Sequence, residues 1–271
     1  MPVKYLTVGQ HQQLLQRLNG IGRSAVECVK GHQAGFEYTS LMMCFLLHNM
    51  GATETLLHLA KSFGNEWFPT TIGYIVDRSI FEVHINAHYI TKDRANRSRQ
   101  YIEYGRVIKK NQLDAFVKHL GTHDPTRHEF IRLAFEQGWS SRAQEINEKY
   151  DAVKKQFEGT TKKGKRHFFQ NWSGKSIREM AQEVDHEIEY DIFYAEMSSF
   201  THADVKLADR FLHTDADGPL WTRRADEYDV GNVFRYAAMF FSCFLQLFGT
   251  EFEVWTEQDV GNCWEFGQET V

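Results

Sequence analysis

Proline is scarce, with 4 in 271 residues. So few argue against a disordered chain and against long ordered loops. Cysteine is equally sparse. Cys28, Cys44, Cys243 and Cys263 stand apart, without CxxC or zinc-finger spacing. That pattern points to free, buried thiols in a reducing cytosol rather than a disulfide or zinc framework. No long apolar run escapes polar interruption, and the N-terminus lacks a basic start followed by an apolar stretch. Neither a membrane span nor a signal peptide is therefore expected, and the reading is a soluble protein of bacterial type in the cytoplasm. Charge of one sign is not in excess. The formal net charge of -5 gives no global attraction to nucleic acid or to anionic membrane, although a local basic site stays open. Alternating strand patterns, repeats of 20–50 residues, P-loops, GxGxxG and GxSxG are missing as well.

Apolar residues are plentiful, at 42%, with aromatics at 14%. The expected class is all-α, a multi-helix bundle forming one domain over 1–271. Its organising stretch is 69–91, PTTIGYIVDRSIFEVHINAHYIT. Ile72, Ile75, Val76, Ile80, Phe81, Val83, Ile85, Ala87 and Ile90 leave no broad polar face, as expected for a central bundle helix. Arg78 and Glu82 nevertheless lie one turn apart on it. With Ile85 and Tyr89 they fall within roughly 60° of one another. A cation and an anion on such a stripe are expected to be buried as a pair.

Helices are predicted over 8–31 and 36–62 before the central one. Asp93 is an N-cap candidate for 93–120, and Asp124-Pro125 opens another start. Residues 125–158 are charged and thinly apolar and read as an exposed hairpin broken near Gly138 to Ser141. With the basic loop GTTKKGKR they make a protruding arm over 125–166. Ser176 and Glu179 form a capping box for a helix continuing from Ile177 towards Leu212, bent near Ser198. Asp215 to Pro219 reads as a turn, and 226–249 as the last strong helix.

Several residue sets could carry chemistry. Arg78 could hold a phosphate or carboxylate with Glu82 orienting it, or the two could form a structural pair fixing helix register. His84 and His88, four apart, could supply two metal ligands but lack an evident third. Glu183, His186 and Glu187 form a single ExxH unit, where helical di-iron bundles need two. No metal and no cofactor is therefore expected. Tyr190, Tyr194, Ser198 and His202 step by four as a slanted polar ribbon. Ser198 and His202 are within reach of each other, without an oxyanion turn to make them a nucleophile and base. Trp172 reads as a packing anchor. Lys162, Lys163, Lys165 and Arg166 read as a solvated loop able to touch phosphates.

The succession of an RSIFE-type helix, RQYIEY at 99–104, NWSGKSIREMA, and Y-x3-Y-x3-S-x3-H resembles a bacterial helical family, domain of unknown function 5677. The matching positions are Arg78, Ser79, Glu82, Tyr101, Trp172, Tyr190, Tyr194, Ser198 and His202, within about residues 40–210. The resemblance implies a helical fold and a shared polar site, with no established reaction. A looser resemblance is to HEPN ribonucleases, small helical bundles with Arg, four to six residues, then His. Arg78 and His84 fit that spacing, though helical geometry turns His84 about 120° away from Arg78. It would imply Arg on an RNA phosphate and His as acid, base or orienter.

Two functions follow. One is a module whose buried polar centre supports the fold and whose exposed helices bind a protein partner or a second copy of the chain, in bacterial defence or regulation. The other is an enzyme on RNA, a nucleotide or another phosphate-bearing ligand. In it Arg78, Glu82, Ser198 and His202 would form the catalytic set, with His84 as the alternative to His202, and Tyr190, Tyr194, His84 and Trp172 would bind.

Overall fold

A computed structural model describes residues 6–29, 35–120, 125–160, 166–201, 213–215, 218–220, 227–254 and 260. In chain order the elements begin with α1 (Val8–Val29), α2 (Phe36–Phe63), α3 (Thr70–Thr91) and α4 (Arg94–His119). They continue with α5 (Pro125–Gly138), α6 (Ala143–Val153), β1 (Glu158–Thr160), β2 (Arg166–Phe168), α7 (Ile177–Glu183) and α8 (Glu187–Glu189). A π-helical turn at Tyr190–Tyr194 leads into α9 (Ala195–Thr201), followed by β3 (His213–Asp215), β4 (Gly218–Leu220) and α10 (Glu227–Phe252). The protein is an all-α multi-helix bundle. Among the described residues the only sheets are two antiparallel hairpins of three-residue strands, too short to leave an alternating pattern in the sequence.

The chain divides into two compact units, Asp93–Ser176 and Met1–Lys92 with Ile177–Val271. In the first, Asp93 caps α4 by accepting from Asn96 N–H at 3.4 Å. Tyr104 and Phe157 meet edge to face with centroids 5.1 Å apart, and the Tyr104 hydroxyl donates to the Phe169 carbonyl at 3.1 Å. The outer helices are laced with local ion pairs, such as Arg132 with Glu129 and Glu136. Phe130 stands out among them at 72% exposure.

In the other unit α3 packs along α10, with α2, α7 and α9 around it. The closest approach is at Gly73. A Cβ placed there would lie 2.6 Å from Val233 Cγ1, so only glycine lets the two helices meet at this point. Phe81, Phe234, Phe240, Phe241, Phe244 and Phe248 are fully buried in the resulting core. By length and composition α10 could cross a membrane, but 67% of its apolar window is buried inside the protein. It is the core helix that the sequence predicted over 226–249.

Two expectations fail here. Cys28 and Cys44 are exposed rather than buried, because α1 and α2 turn those positions outwards; Cys243 is half-buried, and all three are free. The predicted helix from Ile177 towards Leu212 is also interrupted. It stops at Glu183, passes through Asp185 with φ 64°, and resumes at Glu187. The His186 N–H returns to the Ala181 carbonyl at 2.8 Å, a left-handed helix stop of the kind that frees the chain to change direction. Cys263, His202 and the lysines of the 159–166 loop lie outside the described residues.

Candidate functional site

The site grows from the two faces that α3 turns towards the 184–201 segment. On one, Arg78 Nε donates to Glu82 Oε1 at 2.8 Å, closing the i,i+4 pair that the spacing required. The Tyr194 hydroxyl donates to the same oxygen at 2.8 Å. The Arg78 guanidinium carbon lies 5.1 Å from the centre of the Tyr194 ring, within cation–π range. Tyr190 stacks on Tyr194 with centroids 4.7 Å apart. The two rings stand at the ends of the π-helical turn Tyr190–Tyr194. Burial, and next the Glu82 carboxylate, push the Tyr194 hydroxyl well above the usual phenol range, so it stays a donor.

The pair is covered rather than sealed. Side-chain exposure is 19% for Arg78 and 34% for Glu82. The sequence predicted a mostly buried pair on this stretch; Ile72 and Ile75 of the same stretch reach the surface. An acid that the sequence reading passed over is the fully buried one. Asp77 has 0% exposure and neither carboxyl oxygen has a hydrogen-bond partner. Burial holds its carboxyl well above the ordinary carboxylate range. An acidic residue inside an otherwise apolar run was the signal available.

On the second face three imidazoles meet. His84 and His88 of α3 lie with ring centroids 4.5 Å apart, and His186 lies 4.5 Å from His84 and 4.9 Å from His88. One nitrogen from each falls within 4.8 Å of the other two. Three ring nitrogens, His84 Nδ1, His88 Nε2 and His186 Nδ1, are buried without a hydrogen-bond partner. His186 Nδ1 has the Glu189 carboxylate 3.5 Å away, at ion-pair range only. Burial, then the neighbouring imidazoles, hold His84 well below its usual range, and burial with His186 and Lys92 holds His88 down to about 4. His84 and His88 are therefore neutral near pH 7, with lone pairs to offer a ligand. The His84/His88 spacing was legible in the sequence; the third member comes from the left-handed stop at Asp185, which delivers His186 from another part of the chain.

Of the residues singled out from the sequence, Arg78, Glu82, Tyr190 and Tyr194 converge. His84 does not join them and turns instead to His88 and His186. Ser198 is half-buried on α9, its side chain making no hydrogen bond to another described residue, and its predicted partner His202 lies outside the described residues. Trp172 is buried in the 93–176 unit, edge-on to Tyr101 with centroids 5.2 Å apart.

A helical bundle stitched by an Arg–Glu–Tyr joint is thus the class that fold and site define. Residues 52–219 match the model of a family of unknown function, DUF5677, and the chain belongs to that family. No curated protein and no solved structure matches it.

Proposed function

We propose that this protein is a non-catalytic helical module of the bacterial cytoplasm, whose polar centre serves the fold and whose exposed charged helices dock a protein partner in defence or regulation. The observation that carries the reading is how the centre spends its groups. Glu82 Oε1 takes both Arg78 and Tyr194, and the guanidinium lies against the Tyr194 ring. The Tyr194 contacts hold α3 to the 190–201 segment, the work of a structural joint. The arm supplies the partner surface, with Phe130 at 72% and Leu133 at 40% exposure beside the Arg132 ion pairs.

The competing reading is a phosphate-ligand enzyme using Arg78 with His84 or His202. The orientation of His84 towards the other imidazoles weighs against the first pairing. Incubating the purified chain with a mixed RNA pool and with labelled mononucleotides separates the two. The module neither binds nor cleaves them, and Arg78→Lys changes only its stability. Cleavage or saturable binding that Arg78→Lys abolishes in a folded protein would replace the module with the enzyme.

A further inference from the structure

We propose that His84, His88 and His186 form a binding site for one divalent transition-metal ion of the zinc class, joining α3 to the chain just after the left-handed stop at Asp185. This goes beyond the module reading and does not depend on it.

The polarity of the cluster is unmet. Buried polar atoms are nearly always hydrogen-bonded, and each exception needs an explanation. Here three orphaned ring nitrogens belong to three rings that meet in one place, with centroids 4.5–4.9 Å apart. A proton shared among them would satisfy one pair at most, whereas a cation accepts the lone pairs of all three. Nitrogen ligands stand about 2.0–2.1 Å from zinc, which places tetrahedral ligands about 3.3 Å from one another. One nitrogen of each ring already lies within 4.8 Å of the other two, so ring rotations need draw them together by only about 1.5 Å or less to reach that geometry. The i,i+4 spacing of His84 and His88 supplies two ligands from one helix face, and His186 approaches from outside that helix. Glu189, 3.5 Å from His186 Nδ1, places a carboxylate beside the rings, where it offsets the ion's charge. Lys92 is the cation that acts on His88, and the Phe240 ring lies 6.3 Å from His84, closing an apolar side. Imidazole nitrogens suit zinc and its first-row neighbours rather than calcium or magnesium, which take oxygen.

The test uses the full chain, purified without a histidine tag, stripped with chelator and titrated with Zn2+ and, separately, Co2+. One ion per chain should bind. The Co2+ form should show visible bands of tetrahedral nitrogen and oxygen ligation without thiolate charge transfer. His88→Gln and His186→Gln, each checked for helical content and a cooperative melt, should lose affinity by about 100-fold or more, beyond the 10–100-fold typical of outer-shell changes. Glu189→Gln should lose about 10-fold, and His58→Ala, a change at an exposed position of α2, should bind as wild type does. Wild-type protein that binds neither ion, binding that survives both glutamine variants, or a thiolate signature would each overturn the assignment. Should the glutamine variants fail to fold, the wild-type stoichiometry and Co2+ spectrum decide alone.

Discussion

Replacing Gly73 by alanine tests the packing that holds α3, and with it both polar faces, in place. In an exposed helix interior this change is favourable by about 1 kcal/mol, because glycine gives up the most backbone freedom on folding. Gly51, mid-helix in α2 with nothing within 4 Å of where an alanine Cβ would stand, is the internal control. At Gly73 the added carbon would sit 2.6 and 2.9 Å from the two Val233 methyls and 3.0 Å from Phe68 Cε1. Carbon atoms rest at about 3.5–4.0 Å, so roughly 1 Å of separation between α3 and α10 is needed. Val233 has 0% exposure and no room to retreat. Overpacking of this kind costs about 1–3 kcal/mol and outweighs the propensity gain. Urea unfolding should therefore show Gly73→Ala destabilised by about 1–2 kcal/mol and Gly51→Ala stabilised by about 0.5–1. In a Val233→Ala background the cost of Gly73→Ala should shrink by about 1 kcal/mol or more, the signature of direct contact. A Gly73→Ala protein stabilised as much as Gly51→Ala would refute the close crossing.

Three further outcomes follow. Arg78→Ala should cost about 1–3 kcal/mol by chemical denaturation, less than the roughly 3–5 typical of a sealed pair, because Glu82 keeps Tyr194 and some solvent. His11 is buried against Arg235 and donates from Nδ1 to the Thr7 carbonyl; burial first, and then Arg235, hold it down to about 4. The unfolded chain takes up that proton first, so the contribution of neutral His11 is complete above about pH 6.5 and lost as pH falls towards 4, by at most about 1.4 kcal/mol per pH unit. His11→Gln should flatten that slope. Asp77 carries the opposite sign: its folded form holds a proton that the unfolded form releases. Its contribution is present below the ordinary carboxylate pKa and fades as pH rises. The stability of Asp77→Asn relative to wild type should therefore climb as pH rises above about 4, and a pH-independent difference would mean that Asp77 is already ionised in the fold.

Much of this fold is written in local pattern. The central helix expected at 69–91 spans Thr70–Thr91, and that expected at 36–62 spans Phe36–Phe63. Gly138 ends α5, and Asp93 caps α4. Caps and periodicity act within a few residues, so they are legible without the partner helices. The break at 184–186 was not. Nothing in VDH forbids a helix, yet Asp185 takes a left-handed conformation. The same blindness separated the His84/His88 pair from His186. Each was visible as a spacing, but their meeting depends on a long-range contact between chain segments roughly a hundred residues apart. The Arg78–Glu82 pair was legible because both partners lie on one helix face; Tyr194 as the third member needed the fold.

If the Arg78–Glu82–Tyr194 joint is spent on stability, Glu82 and Tyr194 must be energetically coupled whatever ligand is present. A double-mutant cycle of Glu82→Gln and Tyr194→Phe, measured by denaturation with and without nucleotide and inorganic phosphate, tests this most directly. Hydrogen bonds to charged groups contribute about 1.5–3 kcal/mol. With partial exposure, a coupling of about 1–2 kcal/mol is predicted, unchanged by either ligand. A coupling near zero, together with a melt that phosphate or nucleotide raises in wild type but not in Arg78→Lys, would contradict it and make the joint a binding site.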